Sequence, residues 1–369
     1  MTISLEPAPQ AAAPRLGTTA TLLRLALIGA VLAAVAGAFA YLGGWLTPHA
    51  LTPARFTDGF EQVNGVHPGF RRNHPKGLGV SGFFESNGEG ARLSESSVFR
   101  PGRIPVIGRF SLGSGQPYVA DAPDTARGLG LQFALPDGEL WRITMINLPV
   151  FPFSTPEAFY EQMLASKPDP ETGKPDPAKM EAFRARHPEF DRALGALKDH
   201  PFSSGFDNST FYALHAFRFV NAAGDSTAVR WLVRPEQPFE PAGTPPAGQD
   251  KNYLFDALIA RIGRGALRWR LIVIIGQPGD PTNDASGAWP EGRETVDVGT
   301  VTLDRAESDE TSAATDINFD PLVLPAGIAP SDDPLLSARS AVYSQSFTRR
   351  AGEAKPAPAI TPADVRKGE

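Results

Sequence analysis

RRNHPKGLGVSGFF, residues 71–84, is the stretch around which the rest of the sequence is organised. A single histidine, His74, stands among basic residues and a proline, and Gly77 and Gly79 follow it. Because glycine has no side chain, a bulky ligand can come close to this backbone and to the imidazole. An imidazole titrates near neutral pH, so it is suited to moving protons in a reaction. The same residues also fit a histidine in a turn before an edge strand, and both interpretations stay open here.

The composition indicates a globular protein rich in turns and strands. The 369 residues include 36 Gly and 36 Pro, and 41% of them are apolar, a balance that differs from that of a helical bundle. The net charge of −6, without a basic stripe interleaved with aromatic residues, argues against a nucleic-acid partner. The absence of cysteine excludes disulfide bonds, thiolate catalysis and iron–sulfur clusters.

The amino-terminal part predicts an exported protein with a membrane anchor. Residues 1–20 are rich in Ala, Pro and Thr and are predicted to form a disordered leader. Residues 21–46 are predicted to form one transmembrane helix, because 22 of them in a row carry no charge and about 20 such residues cross a bilayer. Arg15 and Arg24 place the amino end in the cytoplasm and the remainder on the periplasmic side. The alternative is secretion after cleavage of a signal peptide at the small-x-small sequence 38–40.

The rest of the chain predicts a tether over 47–55, one globular domain over 56–352 and a disordered tail over 353–369. Short apolar runs separated by Gly, Pro and Asp-Gly recur through the domain, which is typical of an antiparallel meander or barrel. The predicted fold class is therefore α+β, an antiparallel β-barrel with attached helices. The predicted strands are 80–84, 106–112, 128–135, 140–146, 210–221, 228–234, 269–275 and 295–303, and the predicted helices lie within 56–70, after Thr155, near 178–198 and over 250–264.

The central stretch resembles the distal-histidine segment of the haem catalases, in which an Arg lies three residues before the His and Lys-Gly-x-Gly follows it. Arg71, His74, Lys76, Gly77 and Gly79 occupy those positions here. Further catalase-like segments follow in the same order as in that family, and the likeness spans about residues 55–350. These segments are RGLGLQF (127–133), FYALHAFRFVNAAG (211–224), WPEGRETVDVGTVTLDR (289–305) and FDPLVLPAGIAPSDD (319–333).

The resemblance implies a catalase-type barrel with haem b buried against a helix near the carboxyl end, and it assigns the iron ligand to Tyr343. Arg339 lies one helical turn before Tyr343, a spacing that by itself usually marks a surface pair. Coming after the segment 319–333, this Arg-x-x-x-Tyr is similar to the catalase motif whose tyrosinate binds iron. A neighbouring guanidinium and Fe³⁺ would together lower the pKa of the phenol from its ordinary value of about 10.

Further site residues are implied by position. Arg71, Arg109 and Arg350 match the arginines that bind the haem propionates in the family. Ser111 matches the serine that orients the distal histidine, here His74, which would act as general base and then general acid on peroxide. One more match, with a plain helix core as its alternative, is the aromatic residue that packs on the haem face, Phe159.

One position departs from the catalase pattern. Catalases carry a distal Asn three residues before the Pro of a segment that here reads MINLPVF, and three residues before Pro149 stands Ile146, with Asn147 as its neighbour. Either a shift of one residue lets Asn147 serve as the catalytic amide, or the distal pocket lacks it. Without that amide a second peroxide would be held poorly, so dismutation would be weak. The chain also ends soon after Tyr343 and so resembles the small catalase-related peroxidases.

The resemblance therefore implies a haem peroxidase that reduces hydrogen peroxide or organic hydroperoxides with a small organic electron donor, with weak or no catalase activity. Its predicted partners are peroxide, the reductant and the membrane, and its predicted state is a monomer or small oligomer. Two alternatives remain. One is an enzyme of the same fold that rearranges fatty-acid hydroperoxides. The other is a non-enzymatic haem-binding barrel of the cell surface, although storage alone would not need the distal base His74.

Overall fold

The computed structural model describes residues 17–43, 45–47, 50–244, 248 and 250–368, so residues 1–16 of the leader predicted over 1–20 lie outside the described residues. Contacts divide the chain into two units, Met1–Thr52 and Pro53–Glu369. The first unit contains helix α1, Thr18–Leu42, which begins and ends somewhat earlier than the predicted anchor. None of its residues is buried, and by length and composition it can cross a membrane.

An antiparallel β-barrel forms the centre of the second unit, as predicted. Eight strands close the barrel in the order β1-β2-β3-β4-β5-β7-β8-β9, because β7 pairs with both β5 and β8, and β9 pairs with β1. The two remaining strands, β6 and β10, extend the sheet from β7. The ten strands are β1 (Gly77–Ser86), β2 (Gly102–Leu112), β3 (Arg127–Ala134), β4 (Leu140–Ile146), β5 (Phe211–Tyr212), β6 (Phe217–Val220), β7 (Ser226–Pro235), β8 (Leu267–Ile275), β9 (Thr295–Glu307) and β10 (Ile328–Pro330).

Alternation along the strands separates a packed interior from an outer face that carries polar residues. In β4, Trp141, Ile143 and Met145 belong to the buried core, whereas the residues between them are partly exposed. Side chains of successive residues point to opposite faces of a sheet. The outer face therefore holds a row of paired positions across three strands, Ser111, Gly128 and Ile146. The candidate site is built on this row.

Seven helices follow α1 in the described part of the chain. Three of them, which begin after Thr155, Asp176 and Asp333, have a side-chain cap and a proline in the first turn, as expected for helix starts. Thr155 Oγ1 accepts from Ala158 N, which confirms the predicted start of α3, and Asp333 Oδ1 accepts from Leu335 N at the start of α7. The helices are α2 (Pro53–Asn64), α3 (Pro156–Ala165), α4 (Pro177–Arg186), α5 (Pro188–Leu197), α6 (Tyr253–Arg264), α7 (Pro334–Ala351) and α8 (Pro362–Gly368).

The boundaries of three predicted segments are wrong. The single helix predicted near 178–198 is interrupted at His187, because Pro188 has no amide hydrogen and its ring clashes with the preceding turn. Helix α2 already begins at Pro53, inside the predicted tether over 47–55. Helix α6 begins at Tyr253, after the predicted start.

The strand predicted over 210–221 is also interrupted. It forms β5 and β6, and the connection between them contains Leu214 with a φ of 68°, in the left-handed region that side chains other than glycine rarely adopt. The next residue, His215, is 1% exposed. The His215 side chain is therefore buried in the protein at the point where the strand is interrupted.

The tail predicted to be disordered over 353–369 is wrong for the described residues, because this segment packs against the domain. Ile360 is fully buried, and its carbonyl accepts a hydrogen bond of 2.7 Å from Ser308 Oγ. Val365 in α8 joins the main core. Near the start of the tail, the Glu353 carboxylate ion-pairs with the Arg72 guanidinium. Buried apolar contacts and an ion pair thus order a segment whose Ala/Pro-rich composition indicates disorder.

Candidate functional site

His74 sits on a strained loop directly before β1. Its φ of 57° places it in the left-handed region, which is uncommon for a residue with a side chain and often occurs at functional sites. The backbone N–H of His74 donates to the Ser114 carbonyl at 2.8 Å, and the ring Nδ1 lies 3.1 Å from Ser111 Oγ. Ser111 belongs to β2 and Ser114 follows its last residue by two positions, so the end of β2 and the segment after it fix the ring and the backbone of His74.

Glycines around His74 make room for protein groups rather than for a ligand, in contrast to the expectation from the sequence. A Cβ on Gly77 would collide with the Arg109 guanidinium, and one on Gly79 would collide with Ser312. A Cβ on Gly128 would lie 2.8 Å from Ser111 Oγ and 3.2 Å from the His74 ring. These glycines are therefore needed for the dense packing that holds the histidine.

Burial keeps His74 uncharged. Removal from water, together with the positive charges of Arg109, Arg339 and Arg71, lowers the pKa of His74 from 6.5 to about 4. The imidazole is therefore neutral at physiological pH and able to accept a proton. Arg339, one of the residues whose charge acts on His74, lies on α7.

Arg109 ties the histidine loop to β9 and the segment after it. Its Nη1 donates to the His74 carbonyl and its Nη2 to the Pro75 carbonyl, both at 2.9 Å. Its Nη2 also forms an ion pair of 2.6 Å with the Asp309 carboxylate. Most of the donors of this guanidinium are thus used within the protein.

Arg71 and Arg350, by contrast, have no carboxylate partner among the described residues. Arg71 Nη2 donates only to carbonyls, those of Ala314 and Ile317 at 3.0 Å and of Thr315 at 3.4 Å. Arg350 is 5% exposed and packs over the ring of Phe347.

The three arginines therefore form a cluster with uncompensated positive charge. Burial lowers the pKa of Arg71 well below its ordinary value, and the charges of Arg109 and Arg350 act in the same direction. Of the carboxylates that the structure describes, Asp309 is the only one that ion-pairs with the cluster, and the nearby Asp316 is bound to Lys355 at 2.7 Å. Buried charges need partners. Three guanidiniums and one carboxylate leave an excess of two positive charges, which a group with two carboxylates would balance.

On helix α7, Arg339 links Tyr343 to a buried hydrogen-bond chain. Its Nη2 donates to Tyr343 Oη at 3.0 Å and to Thr144 Oγ1 at 3.2 Å, and its Nη1 lies 2.6 Å from His215 Nε2. Because a guanidinium only donates, His215 Nε2 accepts, and its Nδ1–H donates to Asp333 Oδ2 at 2.7 Å. Burial lowers the pKa of His215 to about 4, so this imidazole is neutral.

Comparisons with known proteins agree with this geometry. A family model described as Catalase matches residues 48–357. The chain belongs to the catalase family. It is 40% identical over 303 residues to a catalase-related peroxidase of Synechococcus elongatus, across 81% of this chain and 89% of that relative. It is 33% identical over 304 residues to a catalase-related peroxidase of Mycolicibacterium paratuberculosis, across 82% of this chain and 96% of that relative.

Larger members of the catalase family match over part of their length. Rat catalase is 27% identical across 80% of this chain but 59% of its own length. A solved bacterial catalase superposes with a TM-score of 0.69 at 22% identity, across 82% of this chain and 62% of the other. The catalase family is haem-dependent and acts on peroxide, so this protein is a haem peroxidase of that family, an oxidoreductase acting on peroxide.

The residues present fit a haem. No group of three or more His, Cys, Asp or Glu side chains is arranged to hold a bare metal ion within the described ranges. A phenol hydrogen-bonded to a guanidinium, at Tyr343 and Arg339, can instead supply one anionic oxygen to an iron. The two arginines without carboxylate partners, Arg71 and Arg350, suit the two carboxylates that a haem carries.

Two of the predicted site residues, Phe159 and Asn147, do not lie on the loop that carries His74. Phe159 is stacked on Phe153 with ring centroids 5.0 Å apart, inside an aromatic cluster under α3, which fits the helix-core alternative. Asn147 Oδ1 accepts from the backbone N–H of Arg127 at 2.7 Å, and no hydrogen bond joins it to His74 among the described residues. Ile146, in contrast, is paired with Gly128, whose Cβ would lie 3.2 Å from the His74 ring, and its own side chain packs against the cluster of Leu214, Ala285 and Leu335.

The catalase-family site also includes residues that sequence reasoning missed. His215, Asp333 and Thr144 surround Arg339, but they lie 118 to 195 positions away from their partners along the chain. Asp333 before Pro334 carries a helix-cap signal, which indicates where α7 starts and nothing about a histidine partner. The apolar run around His215 predicts a strand, so only the folded structure reveals the contact.

Proposed function

We propose that the protein is a haem b peroxidase that reduces hydrogen peroxide or organic hydroperoxides with a small organic electron donor, and that its catalase activity is weak. One observation carries the proposal most: His74 is buried and uncharged, and the positive charge that acts on it includes that of Arg339, the guanidinium that holds the Tyr343 phenol. A surface barrel that only stores haem would not need a neutral base held on a strained loop.

His74 moves the proton of the reaction. Haem, when bound, supplies an iron that takes up an oxygen atom and stores oxidising equivalents. The neutral imidazole accepts the proton of the incoming peroxide and returns it to the leaving oxygen, first as general base and then as general acid. Ser111, 3.1 Å from Nδ1, fixes the direction of the ring, and the left-handed backbone fixes its position.

Tyr343 would bind the iron as a phenolate. The positive charge of Arg339, 3.0 Å from the phenol oxygen, favours the charged form of that oxygen. His215 and Asp333 hold the guanidinium from its other side, so that it keeps one orientation toward Tyr343. The excess positive charge of Arg71, Arg109 and Arg350 would bind the propionates, as the family resemblance also implies, and Phe159 would border the haem face from the aromatic cluster.

Weak catalase activity follows from the residue at position 146, which pairs with Gly128. Dismutation needs a second peroxide that is oriented as a reductant, and Ile146 offers it no hydrogen bond. The Asn147 amide oxygen is already bound to the backbone of Arg127. An organic donor that gives up one electron at a time does not need that amide. Peroxidation should therefore outpace oxygen release.

Helix α1 would anchor the protein in a membrane with the haem domain on the periplasmic side, as a monomer or small oligomer. Its length and apolar composition support this, and the arginines on its amino side favour that orientation. Protease added to intact spheroplasts should digest the domain. Sequencing the amino end of the mature protein then separates an anchor from a cleaved signal peptide.

The central test adds peroxide to the full-length, haem-loaded protein in detergent. We expect a phenol to be oxidised much faster than oxygen is released. Vigorous oxygen release with little oxidation of the phenol would contradict the proposal. A fatty-acid hydroperoxide should be reduced to its alcohol, and a rearranged product in its place would identify the enzyme as a hydroperoxide isomerase.

A further inference from the structure

A cavity of about 540 Å³ opens at the outer side of the arginine cluster. It shares Arg71 and Arg350 with the cluster, whereas His74 and Tyr343 do not line it. The cavity therefore lies beyond the propionate-binding arginines, outside the space between the histidine and the phenol. Ligand sites for small molecules commonly have volumes of roughly 300–1,000 Å³, so the cavity is large enough for a substrate.

The carboxyl-terminal tail forms one wall of the cavity. Residues 355–358 lie against the loop 309–316, and the Lys355–Asp316 ion pair joins the two. On the other side, the Tyr118 hydroxyl donates to the Ala357 carbonyl at 2.8 Å. The tail is thus fixed in place, and the cavity keeps its shape.

The charges around the cavity favour a neutral or cationic occupant. With two haem carboxylates bound, the three arginines and Asp309 balance, and Lys355 and Asp316 neutralise each other. The carboxylate that remains is Glu310, which is exposed and forms no ion pair with any described residue. One unpaired negative charge at the opening disfavours an anion.

The apolar walls favour a flat ring. Phe70 lines the cavity and is held edge-on against Tyr118, with ring centroids 5.7 Å apart and planes at 84°. Pro75, Pro356 and Pro358 contribute further rigid apolar surface. An aromatic substrate can pack against such walls without ordering flexible side chains.

We propose that this cavity binds the electron donor, and that the donor is a small neutral or cationic phenol or aromatic amine. The inference rests on the proposed function and adds its donor site and donor class. In the overall reaction the O–O bond of the peroxide breaks and accepts two electrons and two protons. Two donor molecules each release one electron and one proton, so that a phenol leaves as its phenoxyl radical and water is formed.

The test fills the cavity and compares the result with a matched control. Ala313→Trp places an indole in the cavity, where Ala313 is exposed, and Ala223→Trp makes the same change in the β6–β7 turn. Both full-length, haem-loaded proteins are compared with the natural one. Equilibrium dialysis measures the binding of para-ethylphenol to the resting protein, and stopped-flow measurements give separate rates for peroxide and for the donor.

We expect Ala313→Trp to weaken para-ethylphenol binding and donor kcat/KM by about tenfold or more, while its reaction with peroxide stays unchanged. Ala223→Trp should change none of the three. Equal donor binding and oxidation in the two variants would overturn the donor site and leave the proposed function intact. A natural protein that consumes peroxide but oxidises no phenol would contradict the proposed function itself.

Charge selectivity provides a second readout. Tyramine (a cation) and para-hydroxyphenylpropionate (an anion) carry the same phenol, and the natural protein should prefer tyramine. Glu310→Lys should shift the preference toward the anion by about twofold to fivefold, the effect of one exposed charge. Glu171→Lys makes the same change in net charge in the loop between α3 and α4 and should leave the preference as it was. An equal shift in both variants would overturn the assignment of Glu310 to the donor opening.

Discussion

Two buried histidines of the candidate site have the same charge and different surroundings. His74 and His215 are both neutral, with pKa values lowered to about 4 chiefly by burial. Both ring nitrogens of His215 are held by charged partners, Asp333 and Arg339. His74 has a neutral hydroxyl, that of Ser111, beside its Nδ1. Burial alone therefore does not make a catalytic histidine, because the partners decide whether a proton can move.

The largest expected effect is the loss of peroxide cleavage in His74→Ala. General acid–base assistance contributes about 10² to 10⁴ in rate, so the variant should react with peroxide at least ~100-fold more slowly while it still binds haem. Stopped-flow absorbance measures the rate, and the exposed His200→Ala is the control. An unchanged rate in His74→Ala would remove the distinction between the two histidines.

The next largest effect is expected for Tyr343→Phe, which changes the group that Arg339, itself bound to His215, holds in place. It removes the oxygen that Arg339 holds at 3.0 Å, and with it the proposed iron ligand. We expect the variant to lose haem during purification or to show an altered ferric spectrum. The control is Tyr253→Phe, since the Tyr253 hydroxyl has no hydrogen-bond partner in the described structure. Normal haem content and a normal spectrum in Tyr343→Phe would exclude the assignment.

Acid should destabilise the protein because both histidines are buried without charge. Their pKa values fall from 6.5 to about 4 on folding, so between these two pH values the unfolded chain binds more protons than the native one. The contribution of each histidine to the free energy of unfolding is fully present above pH 6.5 and is lost as the pH falls toward 4. The loss is on the order of 3 kcal/mol. Thermal unfolding at about pH 7 and about pH 4.5 measures the loss. Equal Tm values would contradict the burial of neutral imidazoles.

The smallest expected effect comes from Ile146→Asn, opposite Gly128. A new hydrogen bond to the second peroxide is worth about 0.5–1.5 kcal/mol, so oxygen release relative to donor oxidation should rise by about twofold to tenfold. The control is Ile107→Asn, because Ile107 is also a partly buried isoleucine of the barrel but pairs with Gln132, away from the His74 loop. Strong oxygen release by the natural protein, unchanged in Ile146→Asn, would indicate that Asn147 already supplies the amide.

The comparison also shows what the sequence can and cannot predict. His74 and the Arg339–Tyr343 pair lie in short local motifs, so the sequence contains what is needed to single them out. The contact between Asp333 and His215 joins positions 118 residues apart, and no local pattern contains it. The strand that was predicted to run through His215 ends early because Leu214 adopts a left-handed backbone, which its residue type disfavours.

The glycines of the central stretch give a second example. Their spacing predicts the close approach of a ligand, but whether a ligand or protein fills the space depends on residues from distant segments of the chain. At Gly77 the space is filled by Arg109, and at Gly79 by Ser312. The ordered tail is similar, since Ile360 and Val365 find their partners only in the folded domain. The composition of such a segment predicts disorder, but tertiary contacts in the folded domain order it.

The most direct test of the account is the pH dependence of the reaction with peroxide, measured by pH-jump stopped flow before the protein unfolds. If neutral His74 is the base, the rate should be constant above about pH 5 and should fall below its pKa of about 4. His74→Ala should be slow and should lack this inflection. A natural protein whose rate falls near pH 6.5, or a His74→Ala variant that keeps the inflection near pH 4, would contradict the central claim.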